Sequence, residues 1–418
     1  MATDVNVQYF SHLNGLTLGN NWGDLIRLLD TCLVNGLPLT SITSATIDAQ
    51  GDITLNLYAA HNCMLFQIIE LSGFTPAELN GKYRIKGVPS VNQIILKAEH
   101  VGKSINTTGT AKLASLGYEI IFRDTNDVKR VYRAKNPTAQ HPFIRVDETI
   151  SDGVNSYSSA YAKSAMVGLI ENMSHIDDYL DPNKLQLPLD TADPTSNWKI
   201  TGTGTSVARG WSRWYWARNA NAFTLSADSS APATANRKFT LVGDKDAFYF
   251  LRQLQSSEGQ KVLSGCGLYS ESLLPDVIPN WFLMTTLTKN NAATGLNLVN
   301  LEGGNPLTTN VTASTFLAPE YSPTVKFINH TICRGIIQDY NTGWSNIFSG
   351  NSVGALEIPF TAPNTVLRGS LKHIYYAGNK LGYENTQPII SDKAMYIWDS
   401  TMVLSGIGGF YFYLGSLE

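Results

Sequence analysis

The sequence predicts a mainly β protein: several antiparallel β-sandwich or barrel-like domains, with one short N-terminal amphipathic helix packed on a small sheet. Three observations predict it. Short runs of β-branched and aromatic residues recur along the chain. In its last third they are separated by Gly, Asn and Pro turns at intervals near ten residues, a spacing that suits sandwiches rather than βαβ units. Only the segment Asp24–Gly36 draws a clear helical stripe.

That stripe places Leu25, Leu28, Leu29, Cys32 and Leu33 at i, i+3, i+4, i+7 and i+8. Asn20, Asn21 and Asp24 offer capping side chains, and Asn35-Gly36 followed by Pro38 ends the helix. Strands are expected at Ala45–Ile47 and Ile53–Tyr58, across a turn at Gln50-Gly51-Asp52, and then at Met64–Leu71, Tyr83–Val88 and Gln93–Ala98. Gly102–Gly109 forms a polar junction. Beyond it, Tyr118–Phe122, Arg130–Arg133 and Phe143–Val146 make an antiparallel unit. Phe143, Arg145 and Asp147 alternate there with Ile144 and Val146, which predicts half-buried strands with an ordered charged face. Lys129, Arg130, Arg133 and Lys135 are expected on a solvated strand face. Met166–Leu180 fits a helix by spacing, although a strand through Met166–Asn172 is preferred. Asp181–Thr195, with three prolines, is expected to cross the surface as an extended loop, and Ala227–Asn236 is a second loop. Later strands are expected at Trp281–Leu287, Leu296–Leu301, Val325–Ile328, Ile332–Ile337, Leu356–Phe360, Lys372–Tyr376 and Met395–Ile397. Ser400–Ser416 reads as a strand pair bent at Gly406–Gly409. These elements suggest three domains, 1–115, 116–255 and 256–418.

Composition excludes some functions. The 418 residues carry 31 basic and 34 acidic side chains, a net charge of −3, with no Lys/Arg stripe of the length that nucleic-acid binding needs. Charged residues are only 16% of the chain, against about 25% in ordinary globular proteins. A polar, weakly charged surface suits contacts within a large assembly. Cys32, Cys63, Cys266 and Cys333 are scattered, without a zinc or disulfide pattern. Met1–Tyr9 lacks the basic and apolar run of a signal peptide, and membrane insertion is not expected.

Several pieces also occur in a familiar order: Asp24–Gly36, Leu79–Arg84, Gly117-Tyr118, Val131-Tyr132-Arg133, Ile144–Glu148, and Leu241–Asp244 followed by Phe248–Phe250. Together they resemble a family of uncharacterised structural proteins of tailed bacteriophages, over roughly residues 10–255. The resemblance implies a virion protein of the tail, baseplate or neck, made in the host cytoplasm. It would assemble with copies of itself and with other virion structural proteins. It brings no catalytic motif, and no enzymatic activity, metal or cofactor is expected.

The residues themselves offer little chemistry. The seven histidines never form HxxxH, HxH or HExxH, and there is no GxSxG elbow. Gly202–Thr205 lacks the Lys-Ser/Thr ending of a phosphate loop. Asp177-Asp178 with Asp181, and Asp244-Lys245-Asp246, could each offer oxygens to calcium, but neither matches a defined loop, and surface turns are the plainer reading. The strongest candidate is Gly210–Asn219, where Trp211, Trp214 and Trp216 lie among Arg213 and Arg218. These five residues are candidates for a subunit interface, where Trp and Arg are enriched, or for a glycan contact by ring stacking; two of the tryptophans could equally be core. A receptor- or carbohydrate-binding tail component recognising host surface polysaccharide is therefore the alternative function. A capsule-degrading enzyme has less support, since neither a repetitive β-helix pattern nor an acid pair is visible.

Overall fold

The computed structural model describes residues 4–219, 228–255, 261–271, 279–287, 289–291, 295–297, 306–307, 314–320, 330–337, 356–362, 366–376, 386–403 and 406–417. The expected strand Val325–Ile328 and most of Leu296–Leu301 lie outside these residues. Among them the chain is mainly β, in antiparallel sheets with one short α-helix. No helix of the described residues is long and apolar enough to cross a membrane.

A seven-stranded sheet takes Leu37–Pro38, Thr110–Leu113, Ile68–Ser72, Gly81–Ser90, Gln93–Lys97, Ile53–Leu57 and Ile42–Ile47, in that spatial order. The residues after the Gly102–Gly109 tract thus return to this sheet. Alternation along Ile53–Leu57 buries Ile53, Leu55 and Leu57 and leaves Thr54 and Asn56 half-buried, the period of two expected of a sheet with one buried face. Gly51 turns the corner into that strand at φ +83°, where a Cβ would meet the backbone at His100.

The helix runs Asp24–Leu29 and continues as a π-helical segment, Asp30–Asn35, to Gly36. Its start is capped from outside rather than by Asn20 or Asn21. The Glu148 carboxylate accepts the Ile26 N–H at 2.9 Å and also the Gly23 N–H, while Asn20 donates to the Pro232 carbonyl at 3.0 Å. Asp30, in the wide π turn, accepts from Tyr132 Oη at 2.7 Å and Arg130 Nε at 3.2 Å. The apolar stripe and Ile26 pack with Ile53, Leu55, Ile69 and Ile85 of the small sheet. The same cluster continues into Tyr132, Ile144, Trp214 and Phe248 of the large sheet.

The large sheet begins with Tyr118–Arg123, Lys129–Ala134, Phe143–Asp147 and Lys163–Ile170, paired in succession. Lys163–Ile170 is a strand throughout, which resolves the helix-or-strand ambiguity. Ser212–Ala217 follows, then Trp281–Leu287. From there one branch runs through Lys261–Leu268, Ala247–Gln253 and Phe239–Gly243 to Gln8–Ser11. The other runs through Ser314–Pro319, His330–Gly335, Leu356–Ala362 and Val366–Tyr376 to the hairpin Ala394–Val403/Gly406–Ser416. Strands of the middle are buried on both faces. Phe248 and Phe250 join the core shared with the helix, whereas Tyr249 and Leu251 join a second core with Phe282, Phe316 and Phe412. Double burial explains the unbroken apolar run at these positions.

Three expectations need correction. The face carrying Phe143, Arg145 and Asp147 is not solvated: all five residues of that strand are buried. Arg145 lies over the rings of Tyr179 and Trp198, at 4.5 and 4.3 Å, and pairs with Asp147 at 3.0 Å. Arg130 is likewise buried rather than solvated. The segment Asp181–Thr195 is more than a surface crossing. Leu185, Gln186, Leu187 and Leu189 are buried, and Gln186–Leu187 pairs with Leu169-Ile170.

Candidate functional site

The tryptophan strand is built into the interior. Strand Ser212–Ala217 is buried along its whole length. Trp214 and Trp216 point into the helix-side core, where Trp214 meets Phe248 edge to face at 5.9 Å and Trp216 meets Trp22 at 5.7 Å. The Trp214 indole donates to the Met284 carbonyl at 2.9 Å. On the opposite face Arg213 and Arg218 converge on Asp228, at 3.1 and 2.5 Å, and Tyr215 Oη is a third partner at 2.8 Å. Trp211 is half-buried against His330 at 5.3 Å. Sugar stacking needs an exposed ring face, and neither Trp214 nor Trp216 presents one. An anchor in a subunit contact would need the same exposure.

The turn Asp244–Asp246 does more. Asp244 Oδ1 accepts the Asp246 and Ala247 N–H groups at 2.8 and 3.0 Å, closing the turn, and Oδ2 meets His373 Nε2 at 2.9 Å. Asp246 meets His141 Nε2 at 3.0 Å and Lys372 Nζ at 2.9 Å. Thr138 N–H donates to His141 Nδ1 at 3.0 Å, so the neutral His141 ring carries its proton on Nε2 and donates it to Asp246. Bonds from His141 and then Lys372 hold the Asp246 carboxyl well below the usual range. Burial opposes ionisation of Asp244, but the bond and charge of His373 prevail and lower it too. Oxygens so occupied are poor calcium ligands. At the other acidic stretch, Asp178 accepts the Ser174 and His175 N–H groups and pairs with Lys184 at 3.0 Å. No three His, Cys, Asp or Glu side chains among the described residues are grouped to share a metal ion.

His373 and Lys372 reach this turn because their strand bulges. Pro359 faces Ser370 and Glu357 faces Tyr375, so two steps on one strand match five on the other. His373 has φ +62° within the bulge, a conformation uncommon for a non-glycine residue. The bulge floors an open groove of about 590 Å³. Its lining includes the Asp244–His373 pair, Glu271, Glu357, Tyr375 and Tyr413. A second groove of about 460 Å³ on the other side of the turn shares Asp244, Asp246, His373 and Tyr413.

Behind the groove stands a ladder of rings. Tyr375 and Tyr413 lie 6.3 Å apart, Tyr396 and Tyr413 5.6 Å, and Tyr411 packs on Trp398 at 5.0 Å. Tyr375, Tyr396 and Tyr413 are half-buried, whereas Trp398 and Tyr411 are buried. The sequence carried a signal for this face. In Tyr411–Leu414, two tyrosines alternate with Phe412 and Leu414, whose side chains fill the opposite core. Glu271 and Glu357, far apart in sequence, carried none.

Comparisons with known proteins assign no family. No family model matches the sequence, and no curated protein matches it. Among solved structures, "Phage phi92 endosialidase" aligns with 10% identity and a TM-score of 0.16, over 91% of this chain and 52% of that chain. The chain therefore spans about half the length of that protein, and an overlap with so low a TM-score carries no argument.

Proposed function

We propose that the chain is a non-enzymatic structural component of a tailed-bacteriophage virion, assembling as a homo-oligomer in the tail, baseplate or neck. One observation supports this reading best: the residues of the phage-like sequence pieces act as mechanical ties. Arg84, in the Leu79–Arg84 piece, is fully buried and donates to the carbonyls of Asp4, Val7, Phe66 and Leu414 at 2.7–2.9 Å. It joins both ends of the described chain to the small sheet. Tyr132 ties the large sheet to the helix through Asp30, and Glu148 secures the start of that helix. Buried ties of this kind specify a rigid shape, which is what a subunit of an assembly must supply.

Native mass spectrometry of the purified full chain tests the reading. A single closed oligomer at micromolar concentration is expected. A monomer that stays monomeric at the highest attainable concentration would count against self-assembly.

A further inference from the structure

We propose that the groove over strand Val366–Tyr376 binds an oligosaccharide that carries amino groups and no carboxylates. The proposal is independent of the virion reading, and it places sugar recognition away from the tryptophan strand.

Shape, rings and charge each point there. At about 590 Å³ the groove falls within the usual size of small-ligand sites. Tyr375 and Tyr413 line it as half-buried rings, braced from behind by Tyr396, Tyr411 and Trp398. Flat rings fixed in this way suit the C–H face of a pyranose, and their π faces attract an ammonium group. The charges divide into two sets. Asp244 and Asp246 are held by His373, His141 and Lys372. Glu271 and Glu357 are exposed and make no ion pair among the described residues. The uncompensated charge along the groove is therefore negative. It attracts an ammonium group and repels uronic or sialic carboxylates.

A basic peptide would also answer to negative charge, but the floor is wrong for one. Strand Val366–Tyr376 is hydrogen-bonded to Leu356–Ala362 along one edge, and to Ser270-Glu271 and strand Gly406–Ser416 along the other. On that second edge only 366–368 and 371–373 are unpaired among the described residues, each too short to take an added strand. What the strand offers is a bulge that turns Lys372 and His373 toward the Asp244–Asp246 turn, with His373 in a left-handed conformation of the kind that collects at ligand sites.

Saturation-transfer NMR on the full chain tests the proposal with four probes at equal millimolar concentration: glucosamine trimer, cellotriose, trigalacturonic acid and trilysine. Glucosamine trimer should show the strongest transfer, cellotriose a weaker one, and the other two none. Tyr413→Phe should preserve binding, whereas Tyr413→Ala should weaken it at least about tenfold. Glu357→Gln, at an exposed side chain, should reduce glucosamine trimer to the level of cellotriose without moving the melting temperature. Absence of transfer from glucosamine trimer would overturn the proposal, as would equal transfer from trigalacturonic acid. Stronger transfer from trilysine would make the groove a peptide site instead.

Discussion

Glu148 shows what a single buried side chain does in this molecule. Burial pushes its carboxyl up to about 7 against an ordinary 4.5, although the Gly23 and Ile26 N–H groups and Arg209 pull the other way. Its folded pKa is thus raised. Between pH 4.5 and 7 the folded state holds a proton that the unfolded chain has lost, and stability falls as pH rises through that window. The fall is about 3 kcal/mol from this group alone. Chemical denaturation at pH 5 and 7 should show it, and Glu148→Gln should flatten the slope; an unchanged slope in the variant would place the titration elsewhere. Asp244 and Asp246 have the opposite sign. Their lowered values contribute stability above the ordinary carboxylate range, which is lost as pH falls through the depressed values. Trp214 gives a plainer expectation: with its ring wholly in the core, Trp214→Ala should cost about 3–5 kcal/mol and melt early. A Trp214→Ala protein with the parent melting curve would contradict the core placement.

At the scale of elements, the helix depends on two partners. Leu29 is fully buried in a cluster that draws on both sheets, so Leu29→Asp should cost several kcal/mol and destabilise both. Arg84 is a second such tie: its guanidinium serves four backbone carbonyls, with no carboxylate within ion-pair distance among the described residues. Arg84→Ala would strand those carbonyls, each at about 1–3 kcal/mol, and should loosen both chain ends. Hydrogen exchange at residues 4–11 and 410–416 would report it, with unchanged protection there as the contrary outcome. Most of these elements were legible in sequence. The helix stripe and the strands at Tyr118–Phe122 and Phe143–Val146 stand where apolar periodicity puts them. The C-terminal pair is shifted: Gly406–Gly409, expected as its bend, lies within the second strand and pairs with Ser400–Val403. The buried arginines were not legible, because a period of two assigns Arg130 and Arg145 to a face but does not say what covers it. Tyr179 and Trp198, which cover Arg145, come from a stretch without regular periodicity. The groove was hidden for a related reason. Glu271, Glu357 and the Asp244 turn meet only through long-range strand pairing, and no local spacing encodes a bulge such as the one at His373.

For the whole molecule, much of the small charge complement is spent inside. Arg84, Arg209, Arg237 and Arg252 are buried and serve backbone carbonyls, while Arg213 and Arg218 close on Asp228. This interior use of charge accords with a surface shaped for contact with other subunits, and chelation should leave fold and oligomer size unchanged by circular dichroism and light scattering. A loss of structure that calcium restored would sink that expectation. We propose that the chain is a repeated part of a phage particle. Quantitative mass spectrometry of density-purified virions from the phage encoding it tests this most directly. The claim predicts this chain at several copies per particle, retained after high-salt washing, whereas its absence from intact infectious virions would contradict the structural reading outright.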